Sequence, residues 1–114
     1  VYSRNERDNS LSKKSSILLA SAGDNLYLDR ETGDLYVGSH ANMFQFLQHA
    51  HNRSAIAPSQ VLRWNKKTGK VDEIFLSNGY GKHHVSGSSV AVFDRKSKTL
   101  LIGTANAGAM RCKL

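Results

Sequence analysis

The sequence predicts an all-β chain of successive antiparallel units, and three observations predict it. Apolar and polar residues alternate in short runs, as in Leu26-Tyr27-Leu28-Asp29, where the leucines fall on one face and Tyr27 and Asp29 on the other. Turn chemistry separates the runs: Thr32-Gly33-Asp34, Lys67-Thr68-Gly69-Lys70 and the basic stretch from Arg95 to Lys98. An internal repeat at an offset of 65 carries Asp29-Arg30 to Asp94-Arg95, Thr32 to Ser97, Leu35 to Leu100, and Val37-Gly38 to Ile102-Gly103.

The elements follow in order. Val1 to Arg4 reads as the end of a strand and Arg4 to Lys14 as an exposed polar connection. Ser15 to Ala20 reads as a short, largely buried strand leading into a hairpin whose arms are Leu26 to Asp29 and Leu35 to Ser39. From Ala41 to His51, Met43, Phe46, Leu47 and Ala50 keep helical spacing with Asn42 as cap, while a strand continuing from the hairpin is the other reading. Asn52 to Ser59 is a loop around the single proline, Pro58. Gln60 to Asn65 then pairs with Val71 to Leu76, and three further strands are expected over Val90–Asp94, Leu100–Gly103 and Ala109–Cys112. Inner strand, turn, second strand ending in Gly, then outer strands is the order within a propeller blade. Residues 1–22 are thus expected to end a preceding blade, 23–77 to form one blade and 78–114 most of a closing one. Blades of about 40–45 residues are shorter than the repeat, and the long loops over 41–59 and 78–88 account for the excess.

Sixteen Lys and Arg against nine Asp and Glu give a net charge of +7 and a pI of about 9.8. Such a balance suits phosphates or an anionic membrane surface. The cations flank turns instead, Lys66, Lys67 and Lys70 at one and Arg95, Lys96 and Lys98 at another, so they read as solvated loop residues and nucleic acid is not an expected partner. No apolar run approaches the roughly 18 residues of a membrane span. Val1-Tyr2-Ser3-Arg4 lacks a start methionine and the apolar core of a signal peptide, so the chain is expected to be internal or truncated at its beginning.

Two residues stand out chemically. Asp24 and Asn25 lie together at the entrance of a strand, where two side-chain oxygens could serve a hard cation such as calcium, which takes about 6–8 of them. On composition alone Gly23-Asp24-Asn25 reads instead as a turn, by far the commoner use of such residues. Cys112, the only cysteine, reads as a small buried hydrophobe on a last strand. Asn52-Arg53-Ser54 is a glycosylation acceptor if the chain is secreted. His83-His84 reads as an exposed loop pair, and His49 and His51 likewise as exposed, with no metal set between them.

Together, the stretch from Asp24 to His40 with its Thr-Gly-Asp-Leu-Tyr-Val-Gly-Ser-His ending, Ser59-Gln-Val-Leu-Arg63, Ser86-Gly-Ser-Ser-Val90, Leu100-Leu-Ile-Gly-Thr104 and Cys112-Lys-Leu114 resemble the C-terminal part of the paraoxonase/arylesterase family. The resemblance covers nearly all of residues 15–114. It implies a fragment of a six-bladed β-propeller with calcium in its channel, and a secreted or membrane-associated hydrolase of aryl esters and lactones. Carried over by residue, Asp24 and Asn25 become ligands of the catalytic calcium and His40 a histidine beside the active site. Phe44, Phe46, Leu47 and Ala105 fall in segments that wall the substrate pocket. Cys112 matches a cysteine bonded to one near the N-terminus, outside this chain.

Two departures stand against the family pattern: Ser39 occupies a position where many members carry an unpaired cysteine, and no Gly follows Asn42. The remaining calcium ligands, the family's histidine dyad and any segment for lipid association belong to upstream blades. The isolated chain is therefore expected to be inert and to bind calcium weakly at best. Two competing classes are a propeller without activity that serves binding or assembly, and a basic β-module for polyanions.

Overall fold

The computed structural model describes residues 1–81, 84–106 and 108–114. Three antiparallel sheets succeed one another along the chain. β1 (Tyr2–Arg4) and β2 (Leu11–Lys13) form a small hairpin, so the polar connection expected over residues 4–14 itself contains a strand. β3 (Ala22–Leu28), β4 (Leu35–His40), β5 (Ser59–Trp64) and β6 (Val71–Ser77) lie side by side in chain order. β7 (Ser88–Asp94), β8 (Thr99–Thr104) and β9 (Ala109–Lys113) form the third sheet, again in chain order. Among the described residues the fold is all-β apart from one helix, α1 (Met43–His51), between β4 and β5.

The expected strand over Ser15 to Ala20 does not form. The segment finds no ladder partner, and Leu18 is 91% exposed. An apolar run becomes a strand only where its backbone groups are paired. Here Ile17 and Leu19 drape over Leu26, Leu35, Val37 and Trp64, lining a cavity of about 290 Å³ on the outer face of the four-stranded sheet.

Register decides which side chains meet between the two larger sheets. Tyr27 pairs with Tyr36 on one face of the first, and Ala91 with Ile102 and Phe93 with Leu100 on one face of the second. These faces close on each other. Tyr36, Val61, Ala91, Leu100 and Ile102 are buried between them, with Tyr36 stacked on Phe93 at 5.4 Å. Cys112, opposite Leu100 on the edge strand β9, packs half-buried against the same core, in keeping with a small hydrophobe on a last strand.

Asn42 caps α1 as its sequence suggested, its Oδ1 accepting from Gln45 N–H at 3.1 Å. The buried side of the helix is not the expected one. Met43, Leu47 and Ala50 are exposed, whereas Phe46 and His49 turn inward. His49 is 2% exposed, with Nδ1 2.6 Å from the carbonyl of Ala55, which corrects the reading of this histidine as a surface residue. His51 is exposed, as is His84, while His83 lies outside the described residues. The rotation of α1 follows from its short tether to β4: Phe46 stacks on the ring of His40, and Phe46 and His49 both close over Gly87.

At the opposite end, where the hairpin turns gather, the two larger sheets are joined by charge. Asp29, 3% exposed, accepts from Arg95 Nη1 at 3.1 Å, and Arg95 Nε lies 3.4 Å from Glu31. Burial alone would raise the Asp29 carboxyl, but the Arg95 guanidinium, the Glu31 and Thr32 N–H groups and the Thr32 hydroxyl outweigh it and hold it below its ordinary 3.8. The folded value being the lower one, this pairing stabilises the fold above about pH 3.8 and is lost as pH falls through the folded value. Arg95→Ala is expected to lower the thermal midpoint at pH 7, and the gap to the parent should close below the ordinary carboxylate range. A pH series of melting curves checks this; equal midpoints at pH 7 would show that the contact carries no stability.

Candidate functional site

The other end of the sheets is built from two facing bulges. In β3, Gly23 pairs with Ser39 and Leu26 with Val37, so Asp24 and Asn25 together oppose the single residue Gly38. In β7, Ser88 pairs with Thr104 and Val90 with Gly103, which leaves Ser89 out of the ladder. The bulges meet across Gly38. A Cβ on that residue would stand 2.4 Å from the backbone of Ser89 and Val90, so only glycine lets the strands approach this closely.

Bulging turns the released side chains toward one another. Ser89 Oγ donates to Asp24 Oδ2 at 2.7 Å, and Asn25 Nδ2 donates to Ser89 Oγ at 2.9 Å and to Asp24 Oδ1 at 3.2 Å. The three side chains form a closed ring of hydrogen bonds. Its exposed oxygens include Asn25 Oδ1, which accepts no bond among the described residues, and the Asp24 side chain is 36% exposed.

His40 ends β4 beside this ring. It is 5% exposed, with Nε2 3.7 Å from Asp24 Oδ2 and its ring stacked on Phe46 with centroids 3.5 Å apart. Burial pushes the imidazole below its ordinary 6.5, and the Asp24 carboxylate only partly opposes this. Nδ1 is buried without a partner among the described residues, so protonation would strand a second N–H. His40 is therefore held neutral.

The structure thus brings together Asp24, Asn25, His40 and Phe46 of the residues singled out in the sequence. Phe44, 79% exposed, and Leu47, 50% exposed, share the open face of α1 instead of touching the ring. Ala105 is exposed just past β8, at the position to which the 65-residue offset carries His40, and so belongs to the same end of its sheet. Asn52 is exposed at the C-terminus of α1, its Oδ1 accepting from Ser54 N–H at 3.0 Å. Ser89 escaped the sequence reading. Its signal was present all the same, because the offset that carries Asp29 to Asp94 carries Asp24 to Ser89.

The ring's chemistry fits a hard cation in part. A carboxylate, a carboxamide and a hydroxyl offer oxygen alone, as calcium or magnesium prefers. Among the described residues no three His, Cys, Asp or Glu side chains converge, so the chain supplies only a portion of the roughly 6–8 oxygens such an ion takes.

The arylesterase family profile matches residues 1–114 in full. The chain belongs to the arylesterase family. It is 40% identical over 96 residues to human serum paraoxonase/arylesterase 1 and 35% identical over 95 residues to rat serum paraoxonase/arylesterase 2, each alignment covering 80% of this chain. It spans about a quarter of the length of these relatives, 24% of the first and 25% of the second. Among the described residues no helix is long and apolar enough to cross a membrane.

This site depends first on backbone proximity, and the repeat supplies an internal control. Gly103, the counterpart of Gly38, would bring a Cβ against a side-chain methyl of Val90 at 2.9 Å instead of against backbone. Gly38→Ala is expected to cost about 2–3 kcal/mol by forcing the bulges apart, and Gly103→Ala less than about 1 kcal/mol. Chemical denaturation of both variants checks the order; the reverse order would show that the bulges do not need this contact.

Proposed function

We propose that this chain is part of a calcium-dependent hydrolase of aryl esters and lactones, with Asp24 and Asn25 holding the ion. The observation that carries the reading is the exposed Asp24–Asn25 pair on one bulge, beside a buried neutral histidine, in a member of the arylesterase family. Calcium bound there would polarise the ester carbonyl and stabilise the charge that develops on its oxygen.

The chain's own residues have separate tasks. Asp24 brings negative charge and Asn25 a neutral oxygen, a mixture that binds an ion without neutralising it. His40, neutral and with Nε2 3.7 Å from Asp24 Oδ2, lines the site, while Phe46 covers its ring and excludes water. Phe44, Leu47 and Ala105 would wall a pocket for the acyl or aryl group. The other ligands and the proton-transferring base come from upstream blades of a six-bladed propeller, to which the outer face of the four-stranded sheet offers the exposed Leu26 and Leu28. By itself the chain is inert.

Secretion, or attachment to a membrane through a segment outside the chain, accompanies this reading, as does a glycan on Asn52. Cys112 would then be bonded to an upstream cysteine and close the ring along the edge strand β9. Peptide mapping of full-length protein with and without reduction is expected to release the Cys112 peptide only on reduction; a native Cys112 that alkylates freely would overturn the closure.

In the full-length protein, Asp24→Ala is expected to lower hydrolysis at limiting calcium by more than the roughly 10–100-fold typical of losing an outer-shell partner, and Asn25→Ala by less. Aryl-ester and lactone turnover across a calcium titration checks both. Parent activity in Asp24→Ala would remove the ion from this position. Calcium binding without turnover in the parent would instead mark a propeller used for binding.

A further inference from the structure

We propose that Ser89 is a positioning residue of the ion seat, the hydroxyl that sets the direction of the Asn25 carboxamide; the inference rests on the reading of Asp24 and Asn25 as ligands. A carboxamide can present either its oxygen or its NH₂ group to a given point, and the two ends differ little in shape. Only the hydrogen-bonding neighbours decide between them. Ser89 Oγ spends its one hydrogen on Asp24 Oδ2, so toward Asn25 it can act only as an acceptor. Asn25 must therefore turn Nδ2 to Ser89, and Oδ1 is left for another partner. The second bond from Nδ2, to Asp24 Oδ1, is the longer at 3.2 Å.

Position gives Ser89 this role and no other hydroxyl. It is the one residue of β7 that the bulge releases between Ser88 and Val90. The neighbouring Ser88 is fully buried, its one hydroxyl hydrogen lying within reach of the carbonyls of both Ser39 and Gln60, which occupies it in joining the sheets. Ser89 is also the repeat counterpart of Asp24: the same place on the inner strand of the next sheet, carrying a hydroxyl where the first carries a carboxylate. One sheet supplies the charge, and the next supplies the group that orients it.

The consequence is an affinity effect that separates the hydroxyl from the space it fills. Threonine and valine at this position have nearly the same shape, and only threonine keeps the hydroxyl. Calcium affinity of metal-free full-length protein, measured calorimetrically, is expected to stay within about 3-fold of the parent in Ser89→Thr and to fall by about 10–100-fold in Ser89→Val and Ser89→Ala. Melting midpoints of the metal-free variants are expected to agree. Equal affinities for the Thr and Val variants would overturn the proposal, as would an affinity loss in Val matched by an equal loss of metal-free stability. Asp24→Ala, titrated alongside, tells the two readings apart. If it loses calcium while Ser89→Val does not, only the positioning role fails; if it keeps parent affinity, the ion seat itself is misplaced.

Discussion

The site depends on a close approach between two strands, β4 and β7, that belong to different sheets and share no backbone ladder. β7 crosses the first sheet against Gly38, at a distance where any Cβ would strike backbone. Small residues make this possible on both sides, with Ser39 and Ser59 in the first sheet facing Ser86, Gly87 and Ser88 before and within β7. Close approach removes the room for apolar side chains and leaves buried backbone groups to be satisfied. The serine hydroxyls satisfy them. Ser88 Oγ accepts from Gln60 N–H at 2.9 Å, Ser59 Oγ accepts from Ser88 N–H at 3.0 Å, and Ser86 Oγ accepts from Ala57 N–H at 2.8 Å. Such bonds add about 1 kcal/mol each when made and cost more when left open, so they fix the spacing of the sheets more than they strengthen it.

The junction therefore has three zones along the strands. At the mouth it is polar and narrow, through the serines and the two bulges. In the middle it is apolar and wider, where Tyr36, Phe93, Leu100 and Ile102 fill the gap. At the turn end it is charged, where Asp29 meets Arg95. A rigid middle and two pinned ends hold Asp24 and Ser89 in register. Ser39 shows the cost of the narrow zone, being fully buried with a hydroxyl that finds no partner among the described residues.

The strands of the two larger sheets were legible because alternation and Thr-Gly turns are local signals. Asp24, Asn25 and His40 were legible through motif, and Phe46 with them. What failed was whatever depends on a neighbour. Ser15 to Ala20 has a strand's composition and no strand to pair with. His49 lies on the buried side of α1 because Phe46 is fixed on His40 and turns the helix, which no spacing of apolar residues within the helix encodes. Ser89 looks like one more serine in a polar loop until its backbone is seen to leave the ladder. The bulges are the physical reason: period-two reasoning assigns faces only where register is unbroken, and the candidate site residues sit where it breaks.

The repeat explains why chemistry gathers at this end. Inner strands β3 and β7 begin their sheets at equivalent positions and lie next to each other in the fold, so residues related by the offset of 65 are neighbours in space. Asp24 and Ser89 are such a pair, hydrogen-bonded at 2.7 Å. Each sheet added by the same packing rule would bring its own inner-strand residue to the same opening, with a different side chain available at each step. An ion that needs more oxygens than one sheet can offer would then be met by several sheets contributing one or two each, with the backbone geometry reused while the donors change. That division of labour is already visible between the two sheets here, where the first carries the carboxylate and the carboxamide and the second carries the hydroxyl that joins them.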